Sequence, residues 1–420
     1  MLIVQKYGGT SVGDIERIKN VAKRIVETKR AGNDVEAGVS AMAGETDRLI
    51  NLAYKLTPDP DLRELDVLIS TGEQVSTALV AMAIISLGYK AVSLQNHQIK
   101  IVTDSSFTKA RIRKIDAYKL NALLDQGIIP VIAGFQGIDE EGNITTLGRG
   151  GSDTTAVAIA ASLMDYRNDI ICEIYTDVDG VYTADPNIVP DAKKLDEISY
   201  EEMLELAVSG AKVLQARSVG LAMKYNIPLY VKSSFTDSEG TLITKETQKM
   251  IEEVVVRGIA SDKNQAKITL LGIPDDPMVI IELFKAIADA NIVIDMITQT
   301  SSVEGLTDIG FTVSKPDFKK AFEISKDFAK KNGLRNVEGD LNVGKVSVIG
   351  IGMVSHAGIA SRMFTALARS GIKVQMISTS EIKISCIIKE SDVEKAVKVL
   401  HEEFKLSETE QRSQRSKIKN

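Results

Sequence analysis

The chain of 420 residues contains no tryptophan, three histidines and two cysteines, and these shortages exclude several kinds of chemistry. His97, His356 and His401 are too few and too scattered for a histidine-rich metal site or a relay of several histidines. Cys172 and Cys386 lie far apart in apolar runs, so we expect reduced, buried thiols and no disulfide framework. Such cysteines are typical of a cytoplasmic protein.

Long hydrophobic runs and a strong charge of one sign are missing as well. We expect no signal peptide and no membrane span, because the longest apolar helix-like stretch covers only residues 77–87. The formal net charge of -6 argues against nucleic acid as a main partner. With 44% hydrophobic and 26% charged residues, the composition is that of an ordinary soluble protein with room for two or three domains.

What the chain does contain is a glycine-rich turn before an alanine-rich stretch, TTLGRGGSDTTAVAIAA at residues 145–161. The glycines let the backbone turn tightly and aim N–H groups at an anion. Ser152 and Asp153 are predicted to cap a helix over 155–163, and Arg149 adds a cation to the same turn. The combination is typical of a phosphate site, although a plain capped turn is the alternative.

A second candidate phosphate turn lies at the N-terminus. Residues 2–7 are a predicted strand, GGTS at 8–11 interrupts it, and Asp14 is predicted to cap a helix that ends at Gly32. Lys6 would point from the strand towards the turn. The pattern is not the GxxxxGK[ST] phosphate loop, and an ordinary strand-to-helix connection explains it about as well.

Strands and helices alternate through the first half of the chain. We expect strands at 35–43, 66–70 and 128–135, and a helix from 74 to 87, which together indicate a three-layer α/β domain. Glu73 would then lie at the carboxyl end of a strand, where open α/β sheets bind ligands. The alternative is a first-turn Glu that stabilises the helix dipole.

A polar loop follows a further predicted strand within residues 171–186. Thr176, Asp177 and Tyr182 could line a nucleotide pocket, although Asp-Gly turn chemistry explains part of the pattern equally well.

The second half of the chain repeats itself, since residues 266–297 parallel residues 344–377. The matching positions are Gly272 with Gly350, Phe284 with Phe364, and Met296-Ile297 with Met376-Ile377. Each copy is predicted to form a ferredoxin-like βαββαβ module.

Five motifs in this order make the chain resemble the aspartokinases: KYGGTSV (6–12), SAMAGETD (40–47), STGE (70–73), GRGGSDTTAVA (148–158) and YTDVDGVYTADP (175–186). The resemblance covers about residues 1–405 and is greatest for the short monofunctional class. It implies an amino-acid-kinase fold, a three-layer αβα sandwich, followed by two ferredoxin-like ACT domains. The expected boundaries are 1–245 for the catalytic domain, 246–262 for a linker and first regulatory strand, 263–340 and 341–406 for the ACT domains, and 407–420 for a disordered tail.

The reaction that the resemblance implies is phosphorylation of the L-aspartate side chain by ATP, the first step towards lysine, threonine and methionine. The residues suit this chemistry, because a carboxylate acceptor is already ionised at neutral pH and needs no general base. Phosphoryl transfer then requires mainly positioning and charge stabilisation.

The resemblance also implies roles for single residues. Lys6 would stabilise the transferring phosphoryl group, Asp153 would orient that lysine, and Gly8, Gly9 and Ser11 would face the phosphates. Matches to the aspartate site are Ser40, Thr46, Glu73, Arg149 and Ser152, with Arg149 on the α-carboxylate and Glu73 on the amino group. Matches to the nucleotide site are Thr176, Asp177, Tyr182, Asp185 and Lys212. Mg²⁺ should bridge the ATP phosphates with few protein ligands, so no metal-binding residue is named.

ACT domains imply a sensor for lysine, threonine or both, bound between paired modules in a homo-oligomer. The candidate effector residues are Asp275 and Met278 in a predicted loop, Gln299, Ser355 and His356 in a second predicted loop, and Ser380 and Glu381 in a predicted polar strand at 378–381. Most residues of these segments are as readily explained as connections between strands. Met250 stands where a shorter, ACT-only subunit would begin.

The chain departs from the family pattern at several positions: Asn187 for arginine, Lys100 for glycine, Ala216 for proline, Met278 and Ala357 for turn Gly and Pro, and Glu36-Ala37-Gly38 for valines. Two alternatives therefore stay open. One is a catalytically weak amino-acid-binding protein, and the other is a related kinase of another small carboxylate.

Overall fold

The computed structural model describes residues 1–245, 255–301, 303–356 and 358–407, which divide into two units. The first unit comprises residues 1–181, 194–207 and 212–245. The second comprises 182–193, 208–211 and the described residues from 255 onwards. Met250, Ala357, most of the expected linker and the tail from 408 lie outside the described residues.

The first unit is built on an eight-stranded sheet in the order β10-β12-β11-β9-β1-β2-β6-β3. Its strands are β1 (Leu2–Tyr7), β2 (Asp34–Val39), β3 (Ala91–Leu94), β6 (Ile129–Ala133), β9 (Ile170–Thr176), β10 (Glu197–Ser199), β11 (Leu229–Ser233) and β12 (Thr241–Thr244). The strands from β3 to β11 are parallel, and β12 runs antiparallel to β11. A smaller sheet holds β4 (Val102–Thr103), β5 (Ile112–Lys114), β7 (Gln136–Ile138) and β8 (Ile144–Thr146).

Helices cover both faces of the large sheet, which confirms the predicted three-layer architecture. The helices of the first unit are α1 (Ile15–Arg30), α2 (Glu45–Leu56), α3 (Leu62–Ser86), α4 (Tyr118–Asp125), α5 (Gly151–Ser162), α6 (Tyr200–Val208) and α7 (Ala216–Tyr225). Helices α1 and α3 pack over one face, and α5 packs against β1 and β9 with α7 beside it. Asp14 caps α1 as predicted, because its side chain accepts a hydrogen bond from the N–H of Arg17.

The predicted strand at residues 66–70 is wrong, since α3 runs without a break through it. Asp61 caps this helix by accepting from the N–H of Glu64. The run LDVLIS is apolar enough for either structure, and burial against neighbouring elements decides for the helix. Among the described residues, α3 is the one helix long and apolar enough to cross a membrane; half of its most apolar window is buried, as in core helices.

The second unit contains a single six-stranded sheet in the order β14-β15-β13-β16-β18-β17. Its elements are β13 (Gly258–Pro274), α8 (Pro277–Asp289), β14 (Ile294–Gln299), β15 (Leu306–Ser314), α9 (Lys315–Asn332), β16 (Asn336–Ile349), α10 (Ile359–Arg369), β17 (Met376–Thr379), β18 (Lys383–Lys389) and α11 (Val393–Glu403). The first repeat therefore shows the predicted βαββαβ succession, and the second shows it up to its second helix.

The second module does not complete its sheet with its own C-terminal strand. Residues 258–262 at the start of β13 pair with residues 345–349 of β16 and supply the missing strand. The first module is thus inserted between two parts of the second, which the expected boundary at residue 341 does not capture. The β-bridge between Ala192 and Ser407 joins the end of the described chain to the segment 182–193 of the same unit.

Both cysteines are free and buried, as predicted, and a buried carboxyl group accompanies one of them. Glu36 on β2 and Cys172 on β9 both lie opposite Val4 of β1. The Glu36 side chain is fully buried, and neither of its oxygens has a hydrogen-bond partner among the described residues. Burial therefore raises the pKa of Glu36 well above its ordinary value.

This burial predicts a pH dependence of stability that Glu36→Gln removes. Because the folded state keeps the carboxyl group protonated, the wild type loses about 1.4 kcal/mol of unfolding free energy per pH unit above the unfolded pKa of about 4.3. The loss continues until the pH passes the folded pKa. Urea unfolding of the wild type and of Glu36→Gln at pH 5.5, 6.5 and 7.5, followed by circular dichroism, measures how the unfolding free energy of each depends on pH. The exposed variant Glu140→Gln is the control, and equal slopes for all three proteins would refute the idea.

Candidate active site

The centre of the site is a buried ion pair between the end of β1 and the start of α5. Lys6 Nζ lies 2.7 Å from Asp153 Oδ1, and the two side chains are 11% and 10% exposed. Taking two charges out of water is costly unless they are paired, so each side chain fixes the position of the other. The structure thus brings together Lys6, which the family resemblance assigns to the phosphoryl group, and Asp153, which it assigns to orienting that lysine.

Helix α5 begins earlier than predicted. Its N-cap is Gly150, with φ of 68°, and Ser152 and Asp153 lie in the first turn instead of capping it. The N–H groups of Ser152 and Asp153 donate to no described acceptor, so they stay available to an anion. A Cβ at Gly150 would overlap the Gln215 side chain, which lies across this turn just before α7. Glycine is therefore required here by both backbone angle and space.

The N-terminal glycine turn closes over the same end of the sheet. Gly9–Val12 form a short 3₁₀ helix, and Gly8 donates its N–H to the carbonyl of Tyr175 at 3.1 Å. A Cβ at Gly9 would lie 2.8 Å from the carbonyl oxygen of Ala41, so only glycine allows this approach. The turn therefore meets both the end of β9 and the loop after β2.

One residue of this region was missed from the sequence. Ser234, which follows β11, shares a short hydroxyl–hydroxyl hydrogen bond with Ser11 and donates its N–H to the carbonyl of Thr176 at 2.9 Å. It therefore links the glycine turn to the end of β9. The signal in the sequence is its place in the polar stretch 233–240, which follows the apolar run of β11.

Glu73 lies inside α3, not at the end of a strand, and is 3% exposed. Its Oε1 accepts a hydrogen bond from the N–H of Ala41 at 3.1 Å, and its Oε2 has no partner among the described residues. Desolvation raises the pKa of Glu73 to about 7 despite the bond from Ala41. A buried carboxyl group with one open oxygen can bind a cation such as an ammonium group.

The other predicted substrate residues differ in the contacts that they make. Ser40 follows β2 and accepts a hydrogen bond at its carbonyl from Ser76 of α3. Ser152 packs closely against Gly134 in the loop after β6. Arg149 is exposed and makes neither a hydrogen bond nor an ion pair within the described chain, and Thr46 lies in the first turn of α2 without a described side-chain contact.

The predicted nucleotide residues are divided between the two units. Thr176 donates to Asp177 at 3.1 Å just after β9, and Lys212 is exposed before α7. Tyr182 and Asp185 instead belong to the second unit. Tyr182 packs against its hydrophobic core, and the Asp185 carboxylate accepts from the backbone and side chain of Asn187. The roles predicted for all of these residues stay predictions.

Two further features of the first unit were not predicted. Asp66 of α3 accepts hydrogen bonds from the N–H groups of Thr108 and Thr146 and from the Thr146 hydroxyl, which attach the small sheet to this helix. Phe135, after β6, has a positive φ of 70° and donates its N–H to Thr155 of α5. Strained backbone of this kind is common at functional sites.

The predicted effector residues all lie in the second unit, partly in other elements than expected. Asp275 donates its N–H to the carbonyl of Gly305, and Met278 is already helical because α8 begins at Pro277. Gln299 ends the edge strand β14. Ser355 ends a 3₁₀ helix, and His356 Nδ1 lies 2.8 Å from the carbonyl oxygen of Gly352. Ser380 and Glu381 form the turn after β17 and are not part of a strand.

The described departures from the family pattern have visible consequences. Lys100 has φ of 47°, a conformation that glycine adopts without strain. Ala216 is the first residue of α7, the position at which proline is favoured. Gly38 faces open space, since a Cβ there would meet no atom within 4 Å.

Comparison with known proteins gives full-length matches. The amino acid kinase family model matches residues 1–233, and an ACT domain model matches residues 346–404. The aspartate kinase of Pseudomonas putida is 52% identical over 405 residues, which cover 96% of this chain and 98% of that protein. The structure of E. coli aspartokinase III in complex with aspartate and ADP (R-state) superposes with a TM-score of 0.83 at 26% identity, covering 96% of this chain and 99% of that one. The same enzyme in complex with lysine and aspartate (T-state) gives 0.73 at 26% identity and the same coverage.

Proposed function

The chain belongs to the aspartokinase family and is an aspartate kinase, and we propose that the buried Lys6–Asp153 pair is the centre of its phosphoryl transfer. The observation that supports this is the position of the pair. It lies beside a glycine turn and a helix N-terminus at which the N–H groups of Ser152 and Asp153 have no described acceptor, so the lysine and the helix end both attract a phosphate there.

The transfer itself needs no proton abstraction. An oxygen of the aspartate side-chain carboxylate, already ionised, attacks the γ-phosphorus of ATP as the bond to the β,γ-bridging oxygen breaks, and ADP leaves with that electron pair. Lys6 neutralises charge on the transferring group, and Asp153 keeps the ammonium group in place. The N–H groups at the start of α5 stabilise the same charge.

The amino group and the α-carboxylate of aspartate are each bound by a side chain of the opposite charge. Glu73 binds the amino group through its open oxygen. Arg149, which has no other partner among the described residues, binds the α-carboxylate as a two-pronged donor. Ser40, Thr46 and Ser152 supply neutral hydrogen bonds. This arrangement favours an amino acid with a free amino group over an N-acylated or amino-free carboxylate.

ATP binds along the ends of β1 and β9 with Gly8, Gly9 and Ser11 at its phosphates. Thr176, Asp177 and Lys212 contact the rest of the nucleotide, and Tyr182 and Asp185 are assigned to it by family resemblance alone. Mg²⁺ enters on the ATP phosphates and supplies further charge neutralisation. The described residues contain no group of three or more His, Cys, Asp or Glu suited to a metal.

The two ACT modules sense lysine, threonine or both, and the enzyme acts in the cytoplasm at the first step towards lysine, threonine and methionine. E. coli aspartokinase III has been crystallised with lysine, which supports this class of effector. Edge strands β14 and β17 carry exposed Ile297 and Ile377, as a homo-oligomer paired through these modules would require.

Replacement of the lysine tests the catalytic proposal. Lys6→Met should lower kcat for ADP release from Mg-ATP and L-aspartate by about 10³-fold or more, because the transferring charge loses its main cation. Since the unpaired Asp153 could unfold the variant, the double variant Lys6→Met/Asp153→Asn restores neutrality and should be equally inactive. The exposed Lys19→Met is the control. A folded double variant with activity within tenfold of wild type would exclude Lys6 from the chemistry.

The raised pKa of Glu73 predicts how aspartate use depends on pH. Only the ionised carboxylate attracts the ammonium group, so kcat/KM for aspartate should rise about tenfold per pH unit below about pH 7 and level off above it. Glu73→Gln should lose this rise and lower kcat/KM, whereas Glu64→Gln, exposed on the same helix, should retain it. The measurement is a pH profile from 5.5 to 8.5; an unchanged profile for Glu73→Gln would contradict the role.

Addition of lysine and threonine, singly and together, tests the sensor. The enzyme should turn over L-aspartate and not N-acetylglutamate, and this turnover should fall when lysine, threonine or both are present. Gln299→Ala should raise the effector concentration needed for half inhibition. Thr379→Ala, the matching position in the other repeat, provides the comparison. Turnover without any response would refute the sensor alone, and binding of either amino acid without turnover would favour the amino-acid-binding alternative.

A further inference from the structure

The two regulatory modules touch through a pair of contacts related by the internal repeat. When the two repeats are aligned, Lys267 corresponds to Lys345 and Asp295 corresponds to Gln375. Lys345 of β16 pairs with Asp295 of β14 at 2.5 Å, and Lys267 of β13 donates to Gln375, just before β17, at 2.6 Å. Each lysine therefore contacts the other module at the equivalent position.

The two lysines differ in burial and in their other partners. The Lys345 side chain is 1% exposed, whereas the bond between Lys267 and Gln375 lies at the surface. Lys345 Nζ also lies 3.4 Å from the carbonyl oxygen of Val208. Val208 is the last residue of α6, and a lysine is favourable at the carbonyl end of a helix. Only the buried lysine has this second contact.

The segment that begins at Val208 is held to the sheet at a second point. Gly210 has φ of 114°, and a Cβ there would lie 2.2 Å from the carbonyl oxygen of Ser261 on β13. Any side chain would therefore separate the two backbones. Residues 208–211 belong to the second unit because of such contacts.

The same stretch of chain leads directly to the nucleotide site. Lys212 follows the fixed segment at once, and Gln215 lies across Gly150 at the start of α5. Only three residues, 209–211, separate Val208 from Lys212, so a displacement of Val208 is passed on to Lys212. We propose that Lys345 is a positioning residue for the ATP site, which it serves by holding the carbonyl end of α6. The proposal rests on the nucleotide role proposed for Lys212.

Steady-state kinetics of two variants test the idea. Lys345→Met should raise KM for ATP about fivefold to tenfold, since a charged hydrogen bond that fixes the segment is lost, with KM for aspartate changed less than twofold. Lys267→Met, which removes the matching lysine of the other repeat, should leave both constants unchanged. Equal effects of the two substitutions, or no effect of either, would overturn the proposal.

A double variant separates positioning from folding. Lys345→Met leaves Asp295 without its counter-ion, so Lys345→Met/Asp295→Leu replaces the pair by apolar side chains and should recover thermal stability. If Lys345 acts through Val208, KM for ATP stays raised in this variant; if the ion pair is merely structural, KM returns to the wild-type value, and the proposal is wrong.

A second measurement, calorimetry of ADP binding, does not depend on turnover. The Kd for ADP should rise fivefold to tenfold in both Lys345 variants and not in Lys267→Met. Hydrogen exchange of a peptide covering 205–215 should become faster in the same two variants. Absence of aspartate-dependent turnover in the wild type would refute the proposed function, whereas an unchanged Kd for ADP in a folded Lys345 variant would refute this inference alone.

Discussion

The catalytic unit depends on one electrostatic constraint, the buried pair of Lys6 and Asp153. Neither charge is tolerable alone in that place, so the end of β1 and the first turn of α5 have to meet. The surrounding backbone can approach closely enough only where side chains are absent, at Gly9 against Ala41 and at Gly134 against Ser152. These two glycines therefore allow the backbone segments around the ion pair to pack closely.

The features that sequence predicted well are those with a local physical signal. Glycine turns located the loop after β1 and the turn before α5, because few other residues can adopt those conformations or admit such close contacts. Asp14 marked the start of α1 by its capping chemistry. The internal repeat revealed the second half of the chain, since two copies of one pattern are far harder to obtain by chance than one.

The features that sequence did not predict depend on distant partners. The run that includes Asp66 is apolar and short enough for a strand, and only packing within α3 and hydrogen bonds from Thr108 and Thr146 determine its structure. Residues 258–262 complete a module whose other strands lie more than eighty residues later, and no local pattern reports such pairing. Ser234 belongs to the site only because β11 ends beside β9.

The duplicated modules show how burial divides the roles of equivalent residues. A lysine at the surface needs only a neutral acceptor, and Gln375 is sufficient for Lys267. A lysine removed from water requires a counter-charge, and the repeat has Asp295 at the matching position for Lys345. The buried lysine thus has a carboxylate partner and the surface lysine has an amide partner, at positions that match in the two repeats. Enclosure in turn restricts the ammonium group of the buried lysine to few partners, and a group so restricted can hold the end of α6 in one place.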